Sequence, residues 1–377
     1  LQLKNQDLMN YYLNEDFRKN IKININIAGA DITIGAGGAH SALSKYHTDK
    51  FLYFDVSGYY NLIMINYDLL SRAVPESGKA LYEHMYHQQL ALKKTNPRKR
   101  AVYKTILLSV FGAQINEYTD LADEQCGLLV TLTGELFICD LLEKLDGLVR
   151  VIQTNTDGIM VEPLDWANEQ KILDIVCAWE ARTGFTIKKE HKFNLWQRDV
   201  NNYICVDDKG ELEYKGELFK NYDVSDAGYS SGQIFDCTNP PIVAKGVINY
   251  LMYGITPEQT VEENKTNLKF FQYVCKKNTY DYTTYELINP GTLEKTETKL
   301  QGIDRAFAYN SLTEIGMVYK HKDKNGKHSK AKVSNLPDNV FIYNSEINSE
   351  EAYNKVKDKI DYNFYVNRIY MRISECF

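Results

Sequence analysis

Between Arg150 and Pro163, two runs rich in Val, Ile and Met flank the tetrapeptide Asn155-Thr156-Asp157-Gly158. β-Branched and long apolar residues suit a pleated, partly buried strand, and an Asx-rich segment ending in glycine supplies a tight turn. The pattern predicts a β-hairpin. It also places one carboxylate, Asp157, at the tip of a ribbon that a sheet can hold rigidly. An aspartate in a turn is commonly turn chemistry alone; what gives this one weight lies upstream.

Phe51-Leu52-Tyr53-Phe54-Asp55-Val56 reads as an apolar strand ending on an acid, followed by Ser57, Gly58, Tyr59 and Tyr60. Mg²⁺ is a hard cation often held by one or two carboxylates together with substrate phosphates. Two strand-end carboxylates from separate parts of a chain can hold two metals about 3.5–4 Å apart, the arrangement of in-line phosphoryl displacement. The bland alternative is that Asp55 merely ends a strand. A basic element comes next. Asn96 and Pro97 read as N-cap and first position of a helix over Arg98–Phe111, stopped by Gly112. Arg100, Lys104, Leu108 and Phe111 fall on one face of that helix. Lys93–Lys104 carries four Lys and two Arg and no acid. Cations followed by apolar groups suit a nucleoside triphosphate; a solvated basic face is the competing reading.

In this order and spacing, the three elements resemble the family B DNA polymerases of compact phage and viral type. Residues 55–60 resemble the family's first palm motif, Asp-x-x-Ser-Leu-Tyr, with Asp55 and Tyr60 in place and Gly58-Tyr59 replacing Ser-Leu. Residues 104–112 resemble the fingers motif Lys-x-x-x-Asn-Ser-x-Tyr-Gly: Lys104, Ser109 and Gly112 match, Phe111 is conservative, and Leu108 replaces Asn. Thr156-Asp157 matches the centre of the Asp-Thr-Asp turn, with Asn155 for its first Asp. Gly37-Gly38 resembles the turn before the first palm motif, and Lys189-Glu190 lies on a strand-like run after the hairpin. Asn201-Asn202-Tyr203 stands where a Lys-x-Tyr primer grip would be, and Lys215-Gly216 follows a second hairpin at Asp208-Lys209-Gly210. The resemblance covers residues 30–220.

The resemblance implies an α+β polymerase right hand: an antiparallel palm sheet, helical-hairpin fingers and a mixed α/β thumb. The implied boundaries are 1–76 (N-terminal segment and first part of the palm), 77–115 (fingers), 116–222 (second part of the palm) and 223–377 (thumb). It implies a DNA-directed DNA polymerase core that adds deoxynucleotides to a primer 3′-hydroxyl, in replication of phage or viral DNA. Asp55 and Asp157, with Val56, would hold two Mg²⁺ ions, with Mn²⁺ as the substitute. Lys104 is the implied catalytic cation and, with Arg100, would grip the triphosphate. Ser57, Gly58 and Tyr59 would offer peptide N–H groups to it, Leu108 would face the nucleotide, and Tyr60 would exclude a 2′-hydroxyl. Tyr203, Lys215, Gly216, Gly37 and Gly38 would contact DNA. Partners implied are a primer–template, dNTPs and a separate exonuclease chain or other replication proteins, in the cytoplasm of a host cell if viral.

Composition neither opposes nor sharpens this. Hydrophobic content of 44% and charged content of 25% are those of an ordinary globular protein. Seven scattered cysteines, at 126, 139, 177, 205, 237, 275 and 376, form no CxxC pair, which argues for reduced thiols and against a zinc site or a disulfide framework. No apolar run is expected to reach the roughly 20 residues that span a bilayer, and no signal-peptide pattern is seen. The chain opens on Leu1, as a processed chain or fragment would. The net charge of −6 is uneven, with a second basic stretch of six Lys against one Asp over Lys320–Lys332, centred on Asn325-Gly326 and read as a hairpin tip or a flexible loop. With 54 residues before Asp55, no proofreading domain is expected within this stretch. A split polymerase and an exonuclease-free fragment both account for that. Two other functions stay open: a reverse transcriptase-like polymerase, and a catalytically weak DNA-binding subunit of a replication complex.

Overall fold

The computed structural model describes residues 3–12, 22–35, 37–216, 219, 239–324, 326–334 and 336–376. Cys237, Asn325 and the expected 222/223 boundary lie outside the described residues. The chain divides into two compact units: Leu1–Val200 with Cys205–Glu213, and Asn201–Ile204 with Tyr214–Phe377.

The first unit begins with α1 (Gln6–Tyr12), β1 (Ile23–Ile27), β2 (Ala30–Gly35), β3 (Gly38–Ala42) and β4 (Tyr46–Val56). Four helices follow: α2 (Tyr59–Asn66), α3 (Glu76–Ala91), α4 (Pro97–Gln114) and α5 (Glu124–Leu145). The chain then returns to the sheet through β5 (Val149–Thr154), β6 (Gly158–Pro163), α6 (Glu169–Thr183) and β7 (Ile187–Asp199). β8 (Asn202–Val206) and β9 (Leu212–Lys215) cross the division. Sheet order is β1-β2-β3-β5-β6-β4-β7-β8-β9, and the registered pairs are antiparallel. The hairpin expected at 155–158 is β5–β6, closed by Asn155 N–H donating to Gly158 O at 2.7 Å.

β4 is central because its alternation serves both faces of the sheet. Leu52, Phe54 and Val56 are buried in the main core with Ile159 and Val161 of β6 and Ile187 of β7. Tyr53 and Asp55, on the opposite face, are only half-buried. Against the core face pack α5, through Val130, Phe137, Ile138 and Leu142, and α6, through Ile172, Val176 and Trp179. Phe137, Trp179 and Phe185 form an aromatic triplet with ring centroids 5.0–6.1 Å apart. Fully burying a side chain of this size stabilises by about 1.5–3 kcal/mol relative to leaving it exposed. α5 corrects one expectation, since it is long and apolar enough to cross a membrane by length and composition. Its apolarity follows from its place in the core, where 67% of its most apolar window is buried.

Helix ends depart from the sequence reading where side-chain contacts override local signals. Asn96 caps α4 as expected, its side chain accepting from Lys99 N. Gly112 does not stop that helix, which runs on to Gln114 because the Gln114 amide is anchored. Its Oε1 accepts from Ser71 N at 2.8 Å and its Nε2 donates to Leu69 O at 2.8 Å. The sequence also reads as helix over Ser77–Lys94 with Ser77 as cap, whereas α3 starts at Glu76 with Pro75 in the cap position. Apolar spacing reads as a long helix over Leu121–Leu145, and α5 starts three residues later, at Glu124, because Asp123 is its cap.

The second unit contains α7 (Pro241–Tyr253), where the sequence after Asn239-Pro240-Pro241 reads as a helix over 241–253, then α8 (Pro257–Asn264) and β10 (Tyr273–Lys276). β11 (Tyr282–Ile288), β12 (Lys295–Lys299), β13 (Ile303–Ala308), β14 (Ile315–Lys324), β15 (Lys327–Lys332) and β16 (Val340–Ile342) follow, and α9 (Glu350–Val356) and α10 (Tyr362–Cys376) complete it. Its sheets are β10-β13-β16 and β12-β11-β14-β15. Buried Tyr365 joins α10 to the smaller sheet, accepting from Ala308 N at 3.1 Å and donating to Phe271 O at 2.5 Å. The lysine-rich stretch is the β14–β15 hairpin, with Gly326 at φ 73°. Its charge is partly spent: Lys330 pairs with Glu286, and Lys332 pairs with Asp338 at 2.6 Å. The five described free thiols are Cys126, Cys139, Cys177, Cys205 and Cys275.

Asp123 closes the turn between α4 and α5. Its carboxylate accepts from Arg72 Nε at 2.8 Å, Arg72 Nη2 at 2.9 Å and Cys126 N at 3.2 Å. The hydrogen bonds from Arg72 hold its pKa well below the usual carboxylate range. A depressed folded-state pKa stabilises above the unfolded value and is lost as pH falls toward the folded one. The excess of the wild-type urea midpoint over that of Asp123→Asn should therefore be full above about pH 4 and shrink steadily below it. A pH-independent difference would contradict this.

Candidate active site

The site is built by strand pairing. Asp55 lies opposite Gly158 of β6 on one side and opposite Lys188 of β7 on the other. Asp157 is therefore beside the end of β4, where its carbonyl accepts from Val56 N at 2.7 Å. Gly158 is needed at this crossing, since a Cβ there would sit 2.9 Å from Phe54 O. The two predicted carboxylates are thus brought together from positions about a hundred residues apart in sequence.

Their charges oppose one another. Burial raises the pKa of Asp55, and the negative charge of Asp157 raises it further, while the Tyr53 hydroxyl and Lys188 act against the shift. Tyr53 Oη donates to Asp55 Oδ1 at 3.4 Å. Lys188 in turn pairs with Glu190 at 2.5 Å, and that hydrogen bond raises the lysine's own pKa. Val56 has its side chain in the core, so only its carbonyl oxygen could face an ion. Among the described residues no group of three or more His, Cys, Asp and Glu could hold a metal. Two mutually repelling carboxylates, one of them part-buried, still suit a hard divalent ion whose remaining ligands come from substrate phosphate and water.

Beyond β4, Gly58 is the N-cap of α2 at φ 63°. A Cβ there would lie 2.8 Å from the ring of Tyr86 on α3, so glycine lets the helical hairpin approach this turn. The peptide donors expected over residues 57–59 are fewer than predicted. Ser57 N–H is already given to Thr186 O at 2.9 Å, which leaves the first-turn N–H groups of α2. The Tyr59 side chain is also turned away from any nucleotide: it is buried, and its hydroxyl donates to Gly134 O at 2.7 Å. Tyr60 remains half-buried, its ring 4.7 Å from that of Phe111 on α4. Burial, with the charges of Glu135 and Asp157, holds its hydroxyl protonated far above the usual range.

α3 and α4 form the expected helical hairpin. The Tyr82 hydroxyl donates to Asn61 Oδ1 at 2.8 Å and lies 3.3 Å from Leu107 O, tying both helices to α2. Along the other side of α4, Lys104 and Leu108 are exposed and Arg100 is half-buried. Arg100 Nε is buried without a hydrogen-bond partner. Among the described residues, none of Lys93, Lys94, Arg98, Arg100 and Lys104 forms an ion pair, unlike many lysines elsewhere in the chain.

Gly37 and Gly38 lie in the β2–β3 turn, and Gly38 has φ 133° with Thr156 Oγ1 only 3.3 Å from where a Cβ would be. That turn therefore rests on the Asp157 hairpin, as does Ala39, whose carbonyl accepts from Thr154 Oγ1 at 2.9 Å. In the second unit, Gly216 has φ 128° and packs on Asn202, next to half-buried Tyr203 on β8, and Lys215 is exposed. Sequence reasoning missed Tyr53 and Lys188, and singled out Lys189. Lys189 points the other way, to Glu180 Oε2 at 2.5 Å. Only the β4–β7 register distinguishes these neighbouring lysines.

No protein-family model matches the chain, and no curated protein matches it. Among solved structures it is similar to the family B DNA polymerase from the hyperthermophilic archaeon Pyrobaculum calidifontis, with 14% identity and a TM-score of 0.42. The match covers 89% of this chain and 46% of that one, so the chain spans about half the length of that polymerase. The likeness is a distant structural similarity.

The electrostatics give Asp55 a defined sign. Its raised pKa means that the folded state holds the proton more tightly than the unfolded chain, so ionisation costs stability as pH rises through that value. At neutral pH in EDTA, Asp55→Asn should raise the thermal midpoint; an unchanged or lower midpoint would refute the mutual repulsion. Gly58→Ala should cost about 2 kcal/mol in urea unfolding, from the left-handed backbone and the contact with Tyr86.

Proposed function

We propose that this chain is a DNA-directed DNA polymerase core of the family B kind, extending a primer by two-metal-ion nucleotidyl transfer. The observation that carries the proposal is the strand register that sets Asp55 and Asp157 side by side at the sheet end. α2 begins immediately beyond it, with Tyr60 against Phe111 of the basic helix α4.

Asp55 and Asp157, with the Val56 carbonyl, would hold the two Mg²⁺ ions. When bound, the ions supply Lewis acidity at the attacking 3′-hydroxyl and charge neutralisation on the triphosphate. The protein's own part is positioning. Arg100 and Lys104 form no ion pair among the described residues, and they would draw the β- and γ-phosphates to α4, where charge stabilisation matters more than covalent chemistry. First-turn N–H groups of α2 would donate to phosphate oxygens. The Tyr60 ring, wedged by Phe111 and neutral at any working pH, would lie under the sugar and exclude a 2′-hydroxyl. Lys188 would hold Asp55 ionised, and Tyr53 would orient it. The β2–β3 turn at Gly37-Gly38, and the Tyr203, Lys215 and Gly216 group, are the proposed DNA contacts. A separate exonuclease chain as partner and a cytoplasmic setting are part of this reading.

Extension of a labelled primer on a DNA template, with Mg²⁺ and dNTPs, tests this. Asp157→Ala should abolish extension, and Lys104→Ala should lower its rate about 10²–10³-fold. Tyr60→Ala should raise ribonucleotide incorporation at least tenfold while primer extension persists. Mg²⁺ should raise the thermal midpoint of the wild type and not of Asp55→Asn. Absence of extension, with primer–template still bound, would favour a DNA-binding subunit.

A further inference from the structure

The second unit contains a cavity of about 450 Å³ that has no part in the site above. Strand register builds its walls. Val274 lies opposite Arg305, and Lys276 lies opposite Ile303, so Gln272, Val274, Ile303 and Arg305 share one side of the β10–β13 pair. All four line the cavity, together with Lys269, from the one-turn 3₁₀ helix Leu268–Phe270, and Ile347.

Its chemistry is specific. The lining holds two cations and no Asp or Glu. The acids adjacent in sequence are engaged elsewhere. Asp304 accepts from Gln301 N, Gly302 N and Asn344 Nδ2, and Glu346 accepts from Asn348 N and Ser349 Oγ. Arg305 Nη1 donates to the carbonyls of Asn344 and Ser345 at 3.2 and 3.3 Å. Those bonds fix the guanidinium plane and leave its remaining N–H groups without an acceptor among the described residues. Gln272 is 2% exposed, yet its Oε1 has no hydrogen-bond partner. Buried acceptors are normally paired, and a ligand N–H in the cavity is a partner the protein does not supply.

We infer that this cavity binds a nucleoside monophosphate, either free or as the 5′-phosphorylated end of a strand. Cavities of about 300–1,000 Å³ hold ligands of this size. An arginine fork and a lysine recognise phosphate. Val274, Ile303 and Ile347 offer apolar contact to a base, and a glutamine carbonyl accepts from the amino group on a base edge. The inference is independent of the polymerase reading, since the residues carrying it all belong to the second unit.

Calorimetric titration of the full chain with dAMP in EDTA tests it, because chelation removes divalent ions from the Asp55–Asp157 site. Saturable binding is expected, with deoxyadenosine and inorganic phosphate each at least tenfold weaker. Lys269→Gln should weaken dAMP at least tenfold, and Asp157→Ala should leave it unchanged. Arg305→Gln removes contacts that hold the strands together, so the Lys269 variant and the ligand series decide the outcome. A 5′-phosphorylated tetranucleotide that binds as dAMP does, with its 5′-hydroxyl form tenfold weaker, would assign a strand end. Its exclusion would assign a free nucleotide. Phosphate binding as tightly as dAMP would overturn the nucleotide assignment. Absence of saturable binding, or binding lost in Lys104→Ala but kept in Lys269→Gln, would overturn the site.

Discussion

The candidate site depends on the register of β4 between β6 and β7. A strand has a side-chain period of two, so a slip of one residue would turn Asp55 into the core and Phe54 out to solvent. The register is held from the buried face, where Leu52, Phe54 and Val56 pack against α5 and α6. It is held at the C-terminal end of β4 by Val56 N–H on Asp157 O and Ser57 N–H on Thr186 O. Hydrophobic burial on one face thus fixes carboxylate geometry on the other. The site needs no flexible loop to bring its two acids together.

That geometry stores an electrostatic tension which the fold tolerates because it is local. Asp55 is part-buried beside a like charge, with Tyr53 and Lys188 as partial compensation. Across α4 the opposite imbalance exists, a run of cations without ion pairs among the described residues. Several charged side chains elsewhere in the first unit are matched, such as Asp140 with Arg182 and Lys144, or Glu180 with Lys189. The two imbalances lie on elements of one unit, where the proposed ligand, phosphate with metal, would find charges of both signs.

Stiffness in the helical hairpin has a different origin. The Tyr82 hydroxyl bonds the mid-helix carbonyl of Leu107, Gln114 satisfies Leu69 O and Ser71 N–H, and Asp123 accepts from Arg72 N and Cys126 N at the start of α5. Tyr86 closes onto Gly58, a position where any side chain would be both strained and obstructed. In the second unit, the lysine hairpin β14–β15 is less basic than its composition, because Lys330 and Lys332 are drawn into ion pairs.

The sequence by itself determined the local elements that announce themselves in period and punctuation. These are the hairpin about Asn155–Gly158, the apolar strand ending at Asp55, the Asn96 cap of α4, and α7 over Pro241–Tyr253. It also singled out the two acidic residues that the register sets side by side, because a carboxylate at the end of an apolar run is visible without a fold. The helix end at Gly112 was misplaced because the Gln114 side chain acts through contacts distant in sequence, and the starts at Ser77 and Leu121 because Pro75 and Asp123 take the cap positions. Which of Lys188 and Lys189 faces Asp55, that Tyr59 is core while Tyr60 is half-open, and that Ser57 N–H is already spent were decided only by tertiary structure. Pairing register and helix packing are long-range properties: burial selects them over the whole domain, and no window of sequence contains the partner that fixes them.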